Sequence, residues 1–150
     1  MSPGLGVGVL KLSGLWHYGS MEGMLVVMSS TRDAVDEIRN SAASDPAWAI
    51  RVFTEYASNA ARGVWDLITV DPGLPRSWNT TLAAITCWAA DYQGTPRPKW
   101  AEACPAMDPP WDPLESLGVV FDHALLKDEE YLPVMVAKGI RLTENDLWTF

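Results

Sequence analysis

Cysteine and histidine are both scarce in this chain of 150 residues, which contains two of each. Cys87 and Cys104 are too few for a disulfide framework or for a zinc site built from four thiolates. His17 and His123 lie far apart in the sequence, and neither belongs to a metal-binding spacing. We therefore expect reduced cysteines and no bound metal or cofactor.

Basic residues and long apolar runs are also in short supply. Lysine and arginine number 11 against 19 aspartates and glutamates, which gives a net charge of −8. Because nucleic-acid-binding surfaces are usually basic, direct binding to DNA or RNA is not expected. Residues 1–28 have neither the charged start of a signal peptide nor an apolar run of about 18 residues. We thus expect a cytoplasmic protein that does not enter a membrane.

The first 30 residues differ from the rest in composition. They are rich in glycine and apolar side chains, and Lys11 is their only lysine or arginine. We expect residues 1–30 to be a poorly ordered or over-extended N-terminal arm, with a strand at Gly8–Leu12 or Met24–Met28 as the ordered alternative. Residues 31–150 are expected to form a single helical domain, since domains commonly run about 100–200 residues.

Helix start and stop signals follow residue 30 in regular order. Asp45 followed by Pro46 is a strong start, because a proline at the first helical position has no N–H to leave unpaired. Ser77 is a candidate cap for a later helix, and Gly63 and Gly94 favour helix ends. These signals predict helices over about 31–43, 46–62, 78–93 and 99–103. Between them, residues 64–70 are equally consistent with a short helix or an extended run.

Proline dominates the segment 95–113, which contains six of these residues. So many prolines exclude a long helix and favour a rigid loop, which Trp100 and Trp111 are expected to fix against the helices. Pro110 and Pro113 match the PxxP spacing of ligands for SH3-type domains, but a single match is weak evidence for that role. We therefore interpret the segment as a structural loop.

Beyond the loop the pattern is again helical but less regular. It indicates one short helix over 114–126 and a second that opens at residues 128–130 and ends at Gly139. Thr143 and Asp146 have the spacing of a capping box for a last short turn. In total the sequence predicts an all-α fold, a compact bundle of four to five main helices with a proline- and tryptophan-rich loop.

Side-chain patterns suggest which faces are buried. In the second helix, Arg51 and Glu55 are expected to form an exposed pair one turn apart. Three of the eight tryptophans occupy positions expected to face the helical core, namely Trp48, Trp78 and Trp88. The tryptophans near turns are Trp65, Trp100, Trp111 and Trp148. For these, gap filling and contact with a partner both stay open, because tryptophan is enriched at the centres of interfaces.

Negative charge is concentrated in the last third of the chain. Residues 101–150 contain ten acidic and three basic residues, so this third carries −7 of the net −8. The acidic residues are Glu102, Asp108, Asp112, Glu115, Asp122, Asp128, Glu129, Glu130, Glu144 and Asp146. An acidic patch would attract a basic partner. The alternative is that these residues only keep the chain soluble.

No catalytic motif is evident. The acidic residues favour helix starts and turns, and neither cysteine has the local sequence of an activated nucleophile. If the chain were an enzyme or a small-ligand domain, we expect its site to use Asp91, Tyr92 or His123, in a pocket between helices. A third alternative is a homo-oligomeric structural protein, such as a homodimer in which loop tryptophans pack across the axis.

Three segments carry a resemblance to a known family. Residues 45–55 read DPAWAIRVFTE, residues 88–100 read WAADYQGTPRPKW, and residues 137–147 read AKGIRLTENDL. The first resembles a DPxWAxRxxxE helix, the second a helix end that runs into Gly-x-Pro-x-Pro-x-Trp, and the third a closing RRGIFLxxxDL segment. All three patterns are typical of a family of small helical actinobacterial proteins, and the similarity spans about residues 31–150.

Proteins of that family are regulators and antitoxin-like partners in toxin–antitoxin systems, some of them beside nucleotidyltransferase-like toxins. The resemblance thus implies a protein partner, a toxin encoded nearby, and it supplies no catalytic residues. Relatives often carry an N-terminal helix-turn-helix, which residues 1–30 cannot form. We expect a non-enzymatic protein-binding module that neutralises the toxin through an acidic and aromatic face. The residues expected to contact the partner are Trp100, Trp111, Glu129, Glu130, Asp146 and Trp148.

Overall fold

Five α-helices form the body of the described part of the chain. The computed structural model describes the backbone of residues 9–12, 15–19 and 25–27, and then residues 28–117 and 131–148, apart from the Leu114 side chain. The helices are α1 (Thr31–Ser41), α2 (Pro46–Ala61), α3 (Arg76–Gln93), α4 (Lys99–Ala103) and α5 (Pro133–Lys138). Short 3-10 helices cover Pro113–Leu117 and Glu144–Leu147. Over residues 29–117 and 131–148 there is no strand, so the predicted all-α bundle is confirmed.

In the described residues before the bundle there are three short strands. They are β1 (Val9–Leu12), β2 (Leu15–Gly19) and β3 (Leu25–Met28), and they form an antiparallel sheet in the order β1-β2-β3. β1 and β3 lie in the two segments named above as the ordered alternative, whereas β2 has no counterpart among the predictions. Met28, the last residue of β3, is fully buried in the helical core. The expectation of a loose or over-extended arm stays a prediction.

The first two helices begin and end where local chemistry directs them. The Ser30 side chain accepts the Asp33 backbone N–H at the start of α1. The Asp45 side chain accepts the Trp48 backbone N–H at 3.2 Å at the start of α2, with a proline in its first turn. Capping of this kind satisfies N–H groups that have no partner within the helix. Both helices match their predicted ranges to within two residues at each end.

The start of α3 differs from the prediction, because Ser77 is not its cap. The helix begins at Arg76, and the first helical bond runs from the Asn79 backbone N–H to the Pro75 carbonyl at 2.9 Å. Ser77 therefore lies inside the first turn. The turn before α3 is held by the Asn79 side chain instead, which accepts the Leu74 N–H and donates to Asp71 Oδ1. These contacts move the helix start two residues towards the N-terminus.

The third helix is the centre of the bundle. Every residue from Thr80 to Ala90 is buried, so all sides of this helix are covered along its middle turns. α2, α4 and α5 pack on it, while α1 packs on α2. Most of the buried α3 residues are alanine or threonine, whose small size lets neighbouring helices approach closely. Among the residues facing the core, Trp78 and Trp88 are each 6% exposed, as predicted, whereas Trp48 is half-buried.

One buried tyrosine fixes the segment between α2 and α3. The Tyr56 hydroxyl accepts the Ile68 backbone N–H at 3.0 Å and lies 2.8 Å from Thr86 Oγ1 on α3. The Ile68 carbonyl accepts a hydrogen bond from Trp100 Nε1 at 2.6 Å. Both polar groups of Ile68 are therefore paired with side chains from other elements. Residues 66–69 belong to neither a helix nor a strand, so the structure excludes the predicted short helix there.

The proline-rich loop runs beside the chain that follows α5. The Met107 backbone N–H donates to the Lys138 carbonyl, and the Trp111 backbone N–H donates to the Gly139 carbonyl at 2.8 Å. Trp111 and Ile140 form a parallel β-bridge. The buried Lys138 ammonium donates to two backbone carbonyls near the end of α4. The loop is thus attached to the C-terminal segment by backbone bonds between residues about 30 apart.

The fifth helix is shorter than predicted. It begins at Pro133 rather than at residues 128–130, and Leu132 before it is extended. A residue that precedes proline avoids the helical region, because the proline ring collides with its backbone, so Leu132 is a natural boundary. The predicted end at Gly139 is confirmed, as is the capping box of Thr143 and Asp146. Of the helix predicted over 114–126, residues 113–117 form a 3-10 turn, and the remainder lies outside the described residues.

Candidate functional site

Three aromatic rings meet at the C-terminal end of α3. Trp88 and Tyr92 are one helical turn apart, and their ring centroids lie 5.8 Å from each other. The Trp148 ring, from the end of the chain, lies 5.3 Å from each of them in edge-to-face geometry. We refer to Trp88, Tyr92 and Trp148 as the aromatic cluster. Its inner ring is buried, while Tyr92 is 59% exposed and presents the cluster to solvent.

Charged groups surround the aromatic cluster. The Arg62 guanidinium carbon lies 5.2 Å from the centroid of the Trp148 ring, within the range of a cation–π contact. The Trp148 indole N–H donates to Glu144 Oε2 at 3.4 Å. Trp148 is thus held between a cation, which lies over its ring, and an anion, which accepts its indole N–H. The result is a mixed aromatic and polar surface of the kind found at protein interfaces.

An ion pair borders the cluster where α3 leads into the proline-rich loop. Arg97 donates to both carboxylate oxygens of Asp91, at 2.9 and 2.7 Å. The hydrogen bonds from Arg97 lower the pKa of Asp91 below its usual value. Asp91 is thus held ionised by a bidentate partner. This arrangement suits a structural clamp, since a general base must have its carboxylate available to substrate.

The other predicted tryptophans support the fold from different places. The half-buried Trp100 uses its indole N–H to hold the Ile68 carbonyl. The Trp111 ring packs edge-to-face on Trp78, with centroids 5.3 Å apart. Trp78 and Trp88 are ten residues apart on α3, which corresponds to about 15 Å along the helix. Trp111 and Trp148 therefore pack on rings that are well separated along α3, and both Trp100 and Trp111 have contacts within the fold. Whether the loop tryptophans also contact a partner stays a prediction.

The acidic residues expected at the interface are only partly described. Asp146 is exposed, and its carboxylate accepts the Thr143 N–H at 2.8 Å within the capping box. Glu129 and Glu130 lie outside the described residues. Other acids of the last third vary in exposure, since Glu115 and Glu144 are exposed whereas Asp112 is buried. Whether the acids form one continuous face thus stays a prediction.

The residues expected to serve an enzyme or small-ligand site are either engaged in contacts within the fold or lie outside the described residues. Asp91 is paired with Arg97, Tyr92 packs in the aromatic cluster, and His123 lies outside the described residues. Cys87 is buried, and burial raises the pKa of its thiol, which disfavours the reactive thiolate. Cys104 is half-buried and also a free thiol. Within the part of the chain that the structure describes, no group of three or more potential metal ligands comes together.

Two further observations bear on function. None of the helices described here is both long and apolar enough to cross a membrane. In comparisons with known proteins, no family model matches the chain, and no curated protein or solved structure is detectably similar to it. The family resemblance given above therefore stays a prediction that rests on its three segments.

The sequence did not single out Tyr92 as a partner contact, although the signal was present. Tyr92 follows Trp88 by one turn and occupies the last turn of α3, before the helix ends at Gly94. A large ring in the last turn of a helix is exposed unless another element covers it. The missing information was that Trp148, 56 residues later in the sequence, packs on its side and leaves the remainder exposed.

Proposed function

We propose that this protein is a non-enzymatic protein-binding module that acts in the cytoplasm as the antitoxin-like partner of a basic protein. The observation that carries the proposal is the aromatic cluster, in which Tyr92 remains 59% exposed although two tryptophans are packed against it. Exposed tyrosine and tryptophan rings supported by a rigid base are frequent hot spots of protein interfaces.

The charge of the chain supports a basic partner. The net charge is −8, and exposed Glu144 adjoins Trp148 within the aromatic surface. An acidic surface accelerates association with a basic protein and disfavours binding to acidic ones. The finer identity of the partner, a toxin encoded nearby, rests on the resemblance to antitoxin-like proteins.

The proposal can be tested by affinity capture from the native host with the tagged chain and its Tyr92→Ala variant. We expect one basic protein in stoichiometric amount, identified by mass spectrometry, and at least about a tenfold loss of affinity with Tyr92→Ala, or about 1.4 kcal/mol. Affinity should also fall as ionic strength rises through the physiological range, because exposed charges are screened.

Val70→Ala is the matched control, because Val70 is 74% exposed and lines a different surface, beside α1. It should leave the affinity unchanged. Equal binding by the wild-type and Tyr92→Ala chains would contradict the proposal. An affinity that does not change with ionic strength would contradict it as well. Capture of no partner together with a stable dimeric mass in solution would favour the homo-oligomeric alternative.

A further inference from the structure

An open groove of about 760 Å³ lies between α1 and the chain that joins α2 to α3. Val35 of α1 lines one side of it, and Leu67 and Thr69 of the joining chain line the other. Sites that bind ligands usually have volumes of about 300–1,000 Å³. The groove is therefore large enough for a ligand, and it shares no residue with the aromatic cluster.

The joining chain contains main-chain groups that the fold does not use. Residues 66–69 form no turn or bend, and the N–H and C=O of Ile68 are both bonded to side chains of other helices. Among the described residues, no hydrogen bond reaches the N–H or the C=O of Leu67 and Thr69, the two neighbours of Ile68. These neighbours thus leave two donors and two acceptors unpaired.

The position of Ile68 indicates where the unpaired groups point. In a chain that runs without a bend, the main-chain groups of neighbouring residues point to opposite sides, as they do in a strand. Those of Ile68 point into the fold, because Tyr56 and Trp100 bind them. Those of Leu67 and Thr69 therefore point the opposite way, and both residues line the groove.

The spacing of the unpaired groups selects an extended peptide as the ligand. Alternate residues of a chain without a bend lie about 7 Å apart, and each of the two residues has one free donor and one free acceptor. A peptide that pairs with such a chain has the same repeat, because it offers one acceptor and one donor at every second residue. A small ligand with a single polar group would pair with one residue and leave the other unpaired.

The side chains of the groove favour a peptide with apolar residues and with charges of both signs. Val64 and Val70 line the groove and are 47% and 74% exposed, so a bound peptide would cover apolar surface. Arg32 and Asp66 also line it and are exposed. Within the described residues, neither of these charged side chains makes a hydrogen bond or a salt bridge. Each is therefore available to a residue of the opposite charge.

We propose that this groove binds an extended segment of another protein. The segment forms main-chain hydrogen bonds with Leu67 and Thr69 and packs apolar side chains on the two exposed valines. It also pairs one acidic residue with Arg32 and one basic residue with Asp66. Binding at the groove is additional to the partner proposed above and does not depend on the aromatic cluster.

The test is isothermal titration calorimetry of the full chain with two peptides that are capped at both ends. One has the sequence Lys-Val-Thr-Val-Thr-Val-Glu, and the other has the same residues in reverse order, which allows for either direction of the bound chain. We expect saturable binding of at least one peptide with a Kd below about 1 mM. If neither peptide reached that affinity, the proposal would be overturned.

Methylated peptides test whether main-chain bonds hold the ligand. One peptide carries an N-methyl group on its central valine and a second carries it on the threonine before that valine. Each lacks one N–H donor, and the two donors lie on opposite edges of the extended chain. One methylated peptide should bind at least about tenfold more weakly than the parent peptide, and the other within about twofold of it. Equal affinities of the two would contradict main-chain pairing.

Variants at Thr69 make the same comparison on the protein. Thr69→Pro removes an N–H that the fold does not use, and it should weaken peptide binding at least about tenfold. Thr69→Ala keeps the N–H and is the matched control, with an affinity within about twofold of the wild type. Equal losses in the two variants would contradict the proposal; if Thr69→Pro does not fold, the methylated peptides decide alone. A dimeric mass in solution that Thr69→Pro makes monomeric would overturn the proposal in favour of pairing between two copies of the chain.

Discussion

The α2–α3 pair and the C-terminal segment around Gly139 are stabilised in different ways. In the pair, long runs of small and apolar residues are buried, and Asp45 caps the start of α2 while Gly94 caps the end of α3. Around Gly139, a short helix and an irregular loop are joined by a few backbone hydrogen bonds between distant residues. Burial spread over many side chains tolerates single changes, whereas a junction built from a few contacts depends on each of them.

The largest expected effect is at the junction itself. A methyl group on Gly139 would lie 2.2 Å from the Met107 carbonyl oxygen, and the residue has a φ of +68°. Because the obstructing atom belongs to the backbone and cannot rotate away, Gly139→Ala should lower the free energy of unfolding by about 3 kcal/mol or more. The measurement is chemical denaturation followed by tryptophan fluorescence.

Gly73→Ala separates backbone strain from the collision. Gly73 has the same φ of +68° but nothing within 4 Å of an added methyl group. Its substitution should therefore cost about 1 kcal/mol, the price of the left-handed backbone alone. If the two variants lost the same stability, the collision with the Met107 carbonyl would add nothing to the cost at Gly139.

An intermediate effect is expected in the helical pair at Tyr56. Removing its hydroxyl by Tyr56→Phe leaves the buried Ile68 N–H and the Thr86 hydroxyl without this partner. Unsatisfied buried groups cost about 1–3 kcal/mol, and urea denaturation should show a loss of that size. Burial raises the pKa of Tyr56 to about 12, so the hydroxyl is neutral throughout the physiological range and the loss should not vary with pH there.

Tyr92→Phe is the control for this measurement. The Tyr92 ring is 59% exposed, so its hydroxyl is not expected to satisfy a buried group. The stability of this variant should equal that of the wild type within about 0.5 kcal/mol. A comparable loss in both variants would mean that the Tyr56 hydrogen bonds do not set the cost.

The smallest effect is expected at Asp91, where α3 passes into the proline-rich loop. Arg97 lowers the pKa of this carboxyl, so the folded state binds its proton less readily than the unfolded state does. The stabilisation is therefore present above the unfolded value of 3.8 and is lost as pH falls through the lower folded pKa. Because both side chains are more than a third exposed, Asp91→Asn should cost under about 1 kcal/mol at pH 7.

The check is thermal denaturation of the wild type and Asp91→Asn across a pH series. The difference in stability should be constant above about pH 5 and should shrink as the pH falls below 4. A difference that grew on acidification would contradict the assigned direction of the pKa shift.

The boundary residues of the helices were largely predictable. Asp45, Pro46 and Gly63 delimit α2 as expected, and the predicted turn of helix at Lys99–Ala103 is present. Such signals are reliable because a cap acts on backbone groups within one turn of itself. The prediction that Ser77 caps α3 was wrong, because Asn79, two residues later, makes the competing contacts to Asp71 and Leu74.

Burial of polar side chains could not be predicted in the same way. Glu55 was expected to be exposed beside Arg51, yet it is 2% exposed, since α2 is covered on that side as well. Lys138 is likewise buried, because its ammonium group reaches the carbonyls of Glu102 and Cys104. In both cases the deciding neighbours are distant in sequence, and no local pattern contains them.

The candidate sites likewise combine features set by local sequence with features set by distant neighbours. The sequence by itself determined the helical class, the helix limits and the excess of negative charge, because these depend on composition and on interactions within a few residues. Tertiary structure alone decided that Trp148 joins Trp88 and Tyr92, and that Leu67 and Thr69 line one groove with Val35. Those groupings depend on how helices and loops pack, which is the sum of many weak long-range contacts.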